Sequence, residues 1–199
     1  SDGSDGSDER DERVGEEATS IEEKATSIEE RAAPEAPLLE ALPASTSLEL
    51  EALDLNEKGQ SEEALRCFEQ AVKADPRNAR AWTNRAGTLS DLGRHEEALH
   101  SAETALKISA RSPDAWGNKG RALAQLGRTT DALLCFEKAL QYNPRHAMSW
   151  YNRGVSLLRD DQPAEAMECF EKALEIEPEH ALARRAVARV TKALAEAKR

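Results

Sequence analysis

Few residues of this 199-residue chain could do chemistry on their own: three cysteines, Cys67, Cys135 and Cys169, and four histidines, His95, His100, His146 and His180. Thiolate and imidazole are the usual ligands of zinc, and a cysteine or serine beside a histidine makes an activated nucleophile. Neither chemistry has its local signature here, since no HExxH and no glycine-rich phosphate loop occurs in the chain. A Ser-His-Asp set is not apparent either, although such triads assemble from distant positions. What the cysteines do have is a spacing. They lie 68 and 34 residues apart, and the three tryptophans, Trp82, Trp116 and Trp150, are also separated by 34. Aromatic side chains could bind a ligand, but one period shared by thiols and indoles points first to the elements that carry them.

Laid on a 34-residue lattice from Ser45, the chain divides into four units, 45–78, 79–112, 113–146 and 147–180, and a half unit, 181–199. Small residues align at the eighth place (Ala52, Ala86, Gly120, Gly154). Glycine stands at the fifteenth (Gly59, Gly93, Gly127), with Asp161 in the last unit. Alanine fills the twentieth place (Ala64, Ala98, Ala132, Ala166) and the twenty-seventh (Ala71, Ala105, Ala139, Ala173). Phe68, Ala102, Phe136 and Phe170 share the twenty-fourth, and Pro76, Ala110, Pro144 and Pro178 the thirty-second.

Each column has a physical reason. Trp116, Lys119, Gly120 and Leu123 are spaced i, i+3, i+4, i+7, one face of a helix, with the aliphatic stem of Lys119 beside the stripe. Gly120 removes a side chain where a second helix must come close. Gly127 supplies the left-handed residue that ends the first helix, and Asp161 substitutes because short polar side chains visit that region more readily than most. The spacing predicts a second helix over 129–142 with Ala132, Phe136 and Ala139 inward, stopped by Pro144. Such a hairpin cannot hide its own apolar face and must stack on copies of itself. On this lattice the cysteines all occupy the twenty-third place, one or two whole repeats apart. Neighbouring repeats are displaced by roughly 10 Å, beyond disulfide or zinc-ligand reach, so the cysteines read as small core residues. The tryptophans read as core wedges between the two helices of each hairpin.

Charge divides the chain too. The total is 38 acidic against 27 basic residues, net −11, yet residues 1–44 alone hold 14 acidic and 4 basic, net −10. That segment contains SDGSDGSD, a tandem heptad (ATSIEEK, ATSIEER) and three prolines, with few large aliphatics. It is expected to be a disordered acidic tail that adds nothing to stability, because it cannot bury enough surface to offset its ordering entropy. A net acidic chain argues against nucleic acid as partner. No run of about 18 apolar residues occurs, so membrane insertion is not expected, and a cytoplasmic location is the expectation.

The pattern Trp116, Gly120, Leu123, Gly127, Ala132, Phe136, Ala139, Pro144 resembles the tetratricopeptide repeat, over 45–180 at full length with a capping helix at 181–199. Departures are mild: Leu48 replaces the tryptophan and Glu51 stands at an often apolar place in the first unit, and Ala102 and Ala110 replace phenylalanine and proline in the second. The resemblance implies an all-α, right-handed solenoid of four helix–turn–helix repeats and a non-enzymatic protein-binding role, with no cofactor, no metal and no catalytic residue. It places a concave groove on the first helices, for which we name Arg80, Asn84, Asn118, Arg121, Met148, Tyr151, Asn152, Val155, Leu158 and Arg159. Asn84, Asn118 and Asn152 resemble the asparagine ladder of the protein O-linked N-acetylglucosamine transferases, where each amide can serve the backbone of an extended peptide. The other reading is that asparagine is common at this place and simply solvated. If the amides serve only a ligand, alanine at all three leaves the melting point nearly unchanged.

Co-chaperones of the family that hold a C-terminal Glu-Glu-Val-Asp use Lys, Asn, Asn, Lys and Arg at five groove places. This chain offers Glu49, Leu53, Asn84, Asp114 and Asn118, or Thr83, Gly87, Asn118, Met148 and Asn152. Only the middle Asn matches, so carboxylate-clamp chaperone binding is not expected. The alternative to a peptide reader is a structural or regulatory segment of a larger assembly, self-assembling or appended to an enzyme.

Overall fold

A computed structural model describes residues 42–197. The acidic segment expected to be disordered lies, apart from its last three residues, outside the described residues. From Ala44 onward, nine helices follow one another: α1 (Ala44–Glu57), α2 (Ser61–Ala74), α3 (Ala79–Asp91), α4 (His95–Ile108), α5 (Pro113–Gln125), α6 (Thr129–Tyr142), α7 (Ala147–Arg159), α8 (Pro163–Ile176) and α9 (Ala181–Ala197). Among the described residues there is no strand. Consecutive helices pack as hairpins, α1 on α2 through α7 on α8, and α9 lies on α8. The odd helices also meet along one face, α1 with α3, α3 with α5 and α5 with α7, which makes a helical solenoid whose first helices line a common surface.

The turns are where the period is enforced. Gly59, Gly93 and Gly127 sit at φ of +77°, +76° and +78°, and Asp161 at +54°, the left-handed region in which a β-carbon is disfavoured. The next residue then donates back into the helix just ended, Gln60 to Leu55 O, Arg94 to Leu89 O, Arg128 to Leu123 O and Gln162 to Leu157 O, at 2.8–2.9 Å. These bonds satisfy carbonyls that the helix end leaves open. At three of the four odd helices that follow, the thirty-fourth place caps the start, and at α7 His146 holds that position without a side-chain cap bond. Asn78 accepts from the Ala81 N–H (3.0 Å), Ser112 from Ala115 (3.2 Å), and the His180 ring Nδ1 from Ala183 (3.2 Å). Two of the four histidines, His146 and His180, therefore stand at helix N-caps.

The core is built from the phenylalanine column. Phe68, Phe136 and Phe170 are fully buried. A β-carbon on Gly120 would lie 2.6 Å from the Phe136 ring, and one on Gly154 2.6 Å from Phe170, so in these two hairpins the glycine lets the ring come closer, whereas in the first hairpin Phe68 packs with Ala52. The second hairpin instead pairs two buried alanines, Ala86 and Ala102, exchanging ring and gap for two small side chains.

The tryptophans, expected as core wedges, pack against the core clusters without being fully buried. Trp82, Trp116 and Trp150 are half-buried, and each indole N–H donates to a carbonyl six residues earlier, Pro76, Ala110 and Pro144, at 2.9–3.0 Å. Each outer ring face is covered by the cation three residues on, Arg85, Lys119 or Arg153, 5.7–5.8 Å from the centroid. The indole thus pins the loop between repeats. That role also explains why Ala110 replaces proline without loss, because the indole needs a carbonyl and not a ring.

Candidate functional site

α3, α5 and α7 present one open cleft of about 580 Å³, to which Arg80, Thr83 and Asn84, then Asp114, Gly117 and Asn118, then Met148 and Asn152 contribute. Five of the groove residues named from the sequence, Arg80, Asn84, Asn118, Met148 and Asn152, thus meet there. Tyr151, Val155, Leu158 and Arg159 face a second cleft at the far end of α7. Arg121 lines neither: it donates to Asp91 Oδ1 (2.6 Å) and to the Gly87 carbonyl (2.7 Å), joining α5 to α3. Arg159 ties α7 to α5 in the same way, through Ala124 O (2.8 Å) and Gln125 Oε1 (2.9 Å).

The three asparagines are not equivalent. Asn84 Nδ2 donates to Glu49 Oε1 (3.1 Å) and Asn118 Nδ2 to the Thr83 carbonyl (2.9 Å), each reaching the preceding repeat. Asn152 has no hydrogen-bond partner among the described residues. An amide has two N–H donors and an acceptor oxygen, so Asn84 and Asn118 keep capacity for a ligand while also tying repeats together. Alanine at Asn84 or Asn118 therefore removes an inter-repeat hydrogen bond, which the expectation of unchanged stability left out.

Glu49 is the residue that sequence reasoning missed. It is 1 % exposed, forms an ion pair with Arg80, and accepts from Asn78 (3.3 Å) and Asn84 (3.1 Å). A buried carboxylate is tolerated only when its lone pairs are met by such donors. The signal was present as an acid at the fifth place of unit one with an arginine at the second place of unit two, but both break the period and no column displayed them.

A Ser-His-Asp chain does assemble. His146 Nδ1 lies 2.6 Å from Ser149 Oγ and Nε2 lies 3.0 Å from Asp114 Oδ1. The hydrogen bond from His146 holds the Asp114 carboxyl below the usual carboxylate range, against a smaller opposing effect of burial. The order of groups is that of an acyl-transfer relay, but the serine cannot act in one. Ser149 is 0 % exposed, buried against Gly117 of α5, so its hydroxyl has no open face toward the cleft. His146 stands at the N-cap position of α7 without a side-chain bond to its backbone, and it lines the cleft. Burial pushes the Cys135 thiol up to about 11 and raises that of Cys169, away from nucleophile or ligand behaviour. Among the described residues no three metal-ligating side chains come together, and no helix is long and apolar enough to cross a membrane.

The profile of the tetratricopeptide repeat matches residues 50–115, 88–134 and 118–181. Among solved structures the chain is similar to TTC0263, a thermophilic protein of this family from Thermus thermophilus, with 23% identity and a TM-score of 0.71 over 76% of this chain and 83% of that one. It is similar to PilF of Pseudomonas aeruginosa at 23% identity, with a TM-score of 0.66 over 77% and 70% of the two chains. YrrB, described as having an unusual peptide-binding site, is 28% identical with a TM-score of 0.58 over 72% and 74%. No curated protein matches by sequence. Proteins of this fold serve mainly in protein–protein interaction. With hairpins closed by a left-handed residue every 34 positions and the profile matching across 50–181, the chain belongs to the tetratricopeptide repeat family.

Proposed function

We propose that this chain is a non-enzymatic binding module that holds an extended segment of another protein along α3, α5 and α7. The observation that carries this reading is the cleft itself: five separately named residues from three repeats border one open volume of about 580 Å³. The binding frame in this reading is 45–78, 79–112, 113–146 and 147–180, with 181–199 as the capping helix. Asn152 supplies a free amide to the ligand backbone, and Asn84 and Asn118 supply what their inter-repeat bonds leave over. Met148, 47 % exposed at the rim, gives an adaptable apolar contact. The similarity to YrrB is consistent with peptide binding by such a surface. A chaperone carboxylate clamp is not part of this proposal, because the first clamp place holds Glu49, an acid already engaged by Arg80.

A photo-crosslinking side chain placed at residue 148, and separately at the convex, exposed Leu134, tests the reading. Peptides selected from a random library on the full chain should crosslink at 148 and not at 134. Equal capture at both, or capture at 134 alone, moves the site to the convex face.

A further inference from the structure

Past the fourth hairpin the groove continues. α9 packs on α8, and between α9 and α7 lies a cleft of about 510 Å³. Its α7 wall is formed by the apolar Tyr151, Val155 and Leu158, with Arg159 at its end held by Ala124 O and Gln125 Oε1, and Tyr151 is braced by the Phe170 ring at 5.8 Å. Its α9 wall is basic, formed by Arg185 and Arg189, with the half-exposed Leu182 at the rim. No carboxylate lines this cleft. Other cations of α9 are already paired, Arg184 with Glu179 (2.6 Å) and Lys192 with Glu196 (3.9 Å). Among the described residues neither Arg185 nor Arg189 meets an acid within 4.0 Å. Asp161, which borders an adjoining hollow with Arg189, forms no ion pair with it.

The spacing of the two guanidiniums is informative. Residues four apart on a helix rise about 6 Å on one face, and alternate residues of an extended strand are separated by about 6.6 Å on one side, with the residue between them pointing the other way. An extended tripeptide in the cleft therefore sends its first and third side chains to one wall and its second to the opposite wall. Rigid polyanions do not suit this cleft, since half its lining is apolar and the chain as a whole carries net −11.

We propose that the cleft between α7 and α9 is a docking subsite for an extended peptide bearing a large apolar side chain between two acidic ones. The carboxylates lie against Arg185 and Arg189, and the apolar side chain covers Val155 and Leu158. This rests on the groove reading above and adds to it a specificity: the far end of the groove selects acid–apolar–acid.

The test is a phage-displayed random dodecapeptide library panned on the full chain and, in parallel, on the R185E/R189E variant. The full chain should enrich Asp or Glu on both sides of Leu, Ile or Phe, and the variant should replace those acids by Lys or Arg. The selected peptide, read by fluorescence anisotropy, should bind R185E/R189E about tenfold more weakly, with the difference shrinking at high salt. R185Q/R189Q, read the same way, serves if the double reversal does not fold by circular dichroism. Peptides enriched equally and with the same composition on both proteins overturn this inference and leave the groove reading intact. No enrichment on the full chain overturns both. A concentration-dependent dimer that R185E/R189E abolishes makes a second copy the occupant, and the proposal fails.

Discussion

Replacing Asn118 by alanine removes one hydrogen bond, Nδ2 to the Thr83 carbonyl at 2.9 Å, across the interface of α5 and α3. The same replacement at Asn152 removes none among the described residues. Both sites lie inside helices, so both substitutions gain the same intrinsic propensity, up to about 0.7 kcal/mol, and their difference isolates the inter-repeat bond. A net hydrogen bond contributes about 0.5–1.5 kcal/mol. Thr83 O lies inside α3 and has the N–H four residues on as a second partner, so the low end of that range applies. At this chain length 1 kcal/mol corresponds to about 2–4 °C in Tm. Asn152→Ala should therefore melt at or slightly above the parent, and Asn118→Ala about 2 °C below Asn152→Ala. Asn84→Ala should fall lower still, because its partner is the buried charge of Glu49, for which a bond is worth about 1.5–3 kcal/mol. Thermal melts by circular dichroism, backed by urea midpoints at unchanged slope, read the order. Equal melting points for all three, or Asn152→Ala as the least stable, would refute the division of labour along the ladder.

Two further outcomes follow from the geometry. Gly120→Ala drives a methyl into the Phe136 ring, at 2.6 Å, costing about 1–3 kcal/mol of overpacking against about 1 kcal/mol of helix propensity gained. At Gly87 the new methyl meets only Asn118 Nδ2, at 3.6 Å, and Arg121 at 3.9 Å, so Gly87→Ala should raise Tm while Gly120→Ala lowers it, and a rise in both would show that the ring has room to move. Asp114 is held below the usual carboxylate range by His146, so its contribution to stability is complete above the ordinary aspartate value near 4 and is lost as pH falls through the depressed one. A carbon-detected NMR titration should find the Asp114 carboxyl moved up in His146→Phe, and an unmoved pKa would deny the hydrogen bond its role.

What the sequence made legible is what repeats. Trp, Gly, Ala and Phe columns have a cause that recurs in every hairpin, so the turn at Gly127 and the unusual Asp161 turn could be read from residue type and spacing alone, and both appear at positive φ. The fit of Phe136 over Gly120 was legible for the same reason. The tryptophans do pack against the core clusters, but their second duty was not legible, because periodicity shows that a residue recurs on a face and says nothing of which part of the indole is used. The hydrogen bond to a carbonyl six residues back depends on loop path, which no column records. Glu49 and the His146 relay were illegible on stricter grounds. Each joins residues in a combination that no column repeats, Glu49 with Arg80 and Asn84 of the next unit, and His146 with Asp114 of its own unit and Ser149 of the next.

That contrast bears on where specificity resides. A solenoid whose units were identical would present the same surface at every step and could fix neither the direction nor the register of a bound chain. Here the uniform element is the asparagine, and the steps on either side of it differ in charge. At the first end Arg80, which lines the cleft, is paired with the buried acid Glu49. In the middle the Asp114 carboxylate is hydrogen-bonded to the His146 ring. At the last end Arg185 and Arg189 are left without a carboxylate among the described residues, beside an apolar wall. Backbone-directed amides give affinity that is indifferent to sequence, and an uncompensated charge at one end breaks the symmetry between the two directions of a peptide. In the proposed reading an acidic segment is then drawn toward the α9 end, where Arg185 and Arg189 set its orientation.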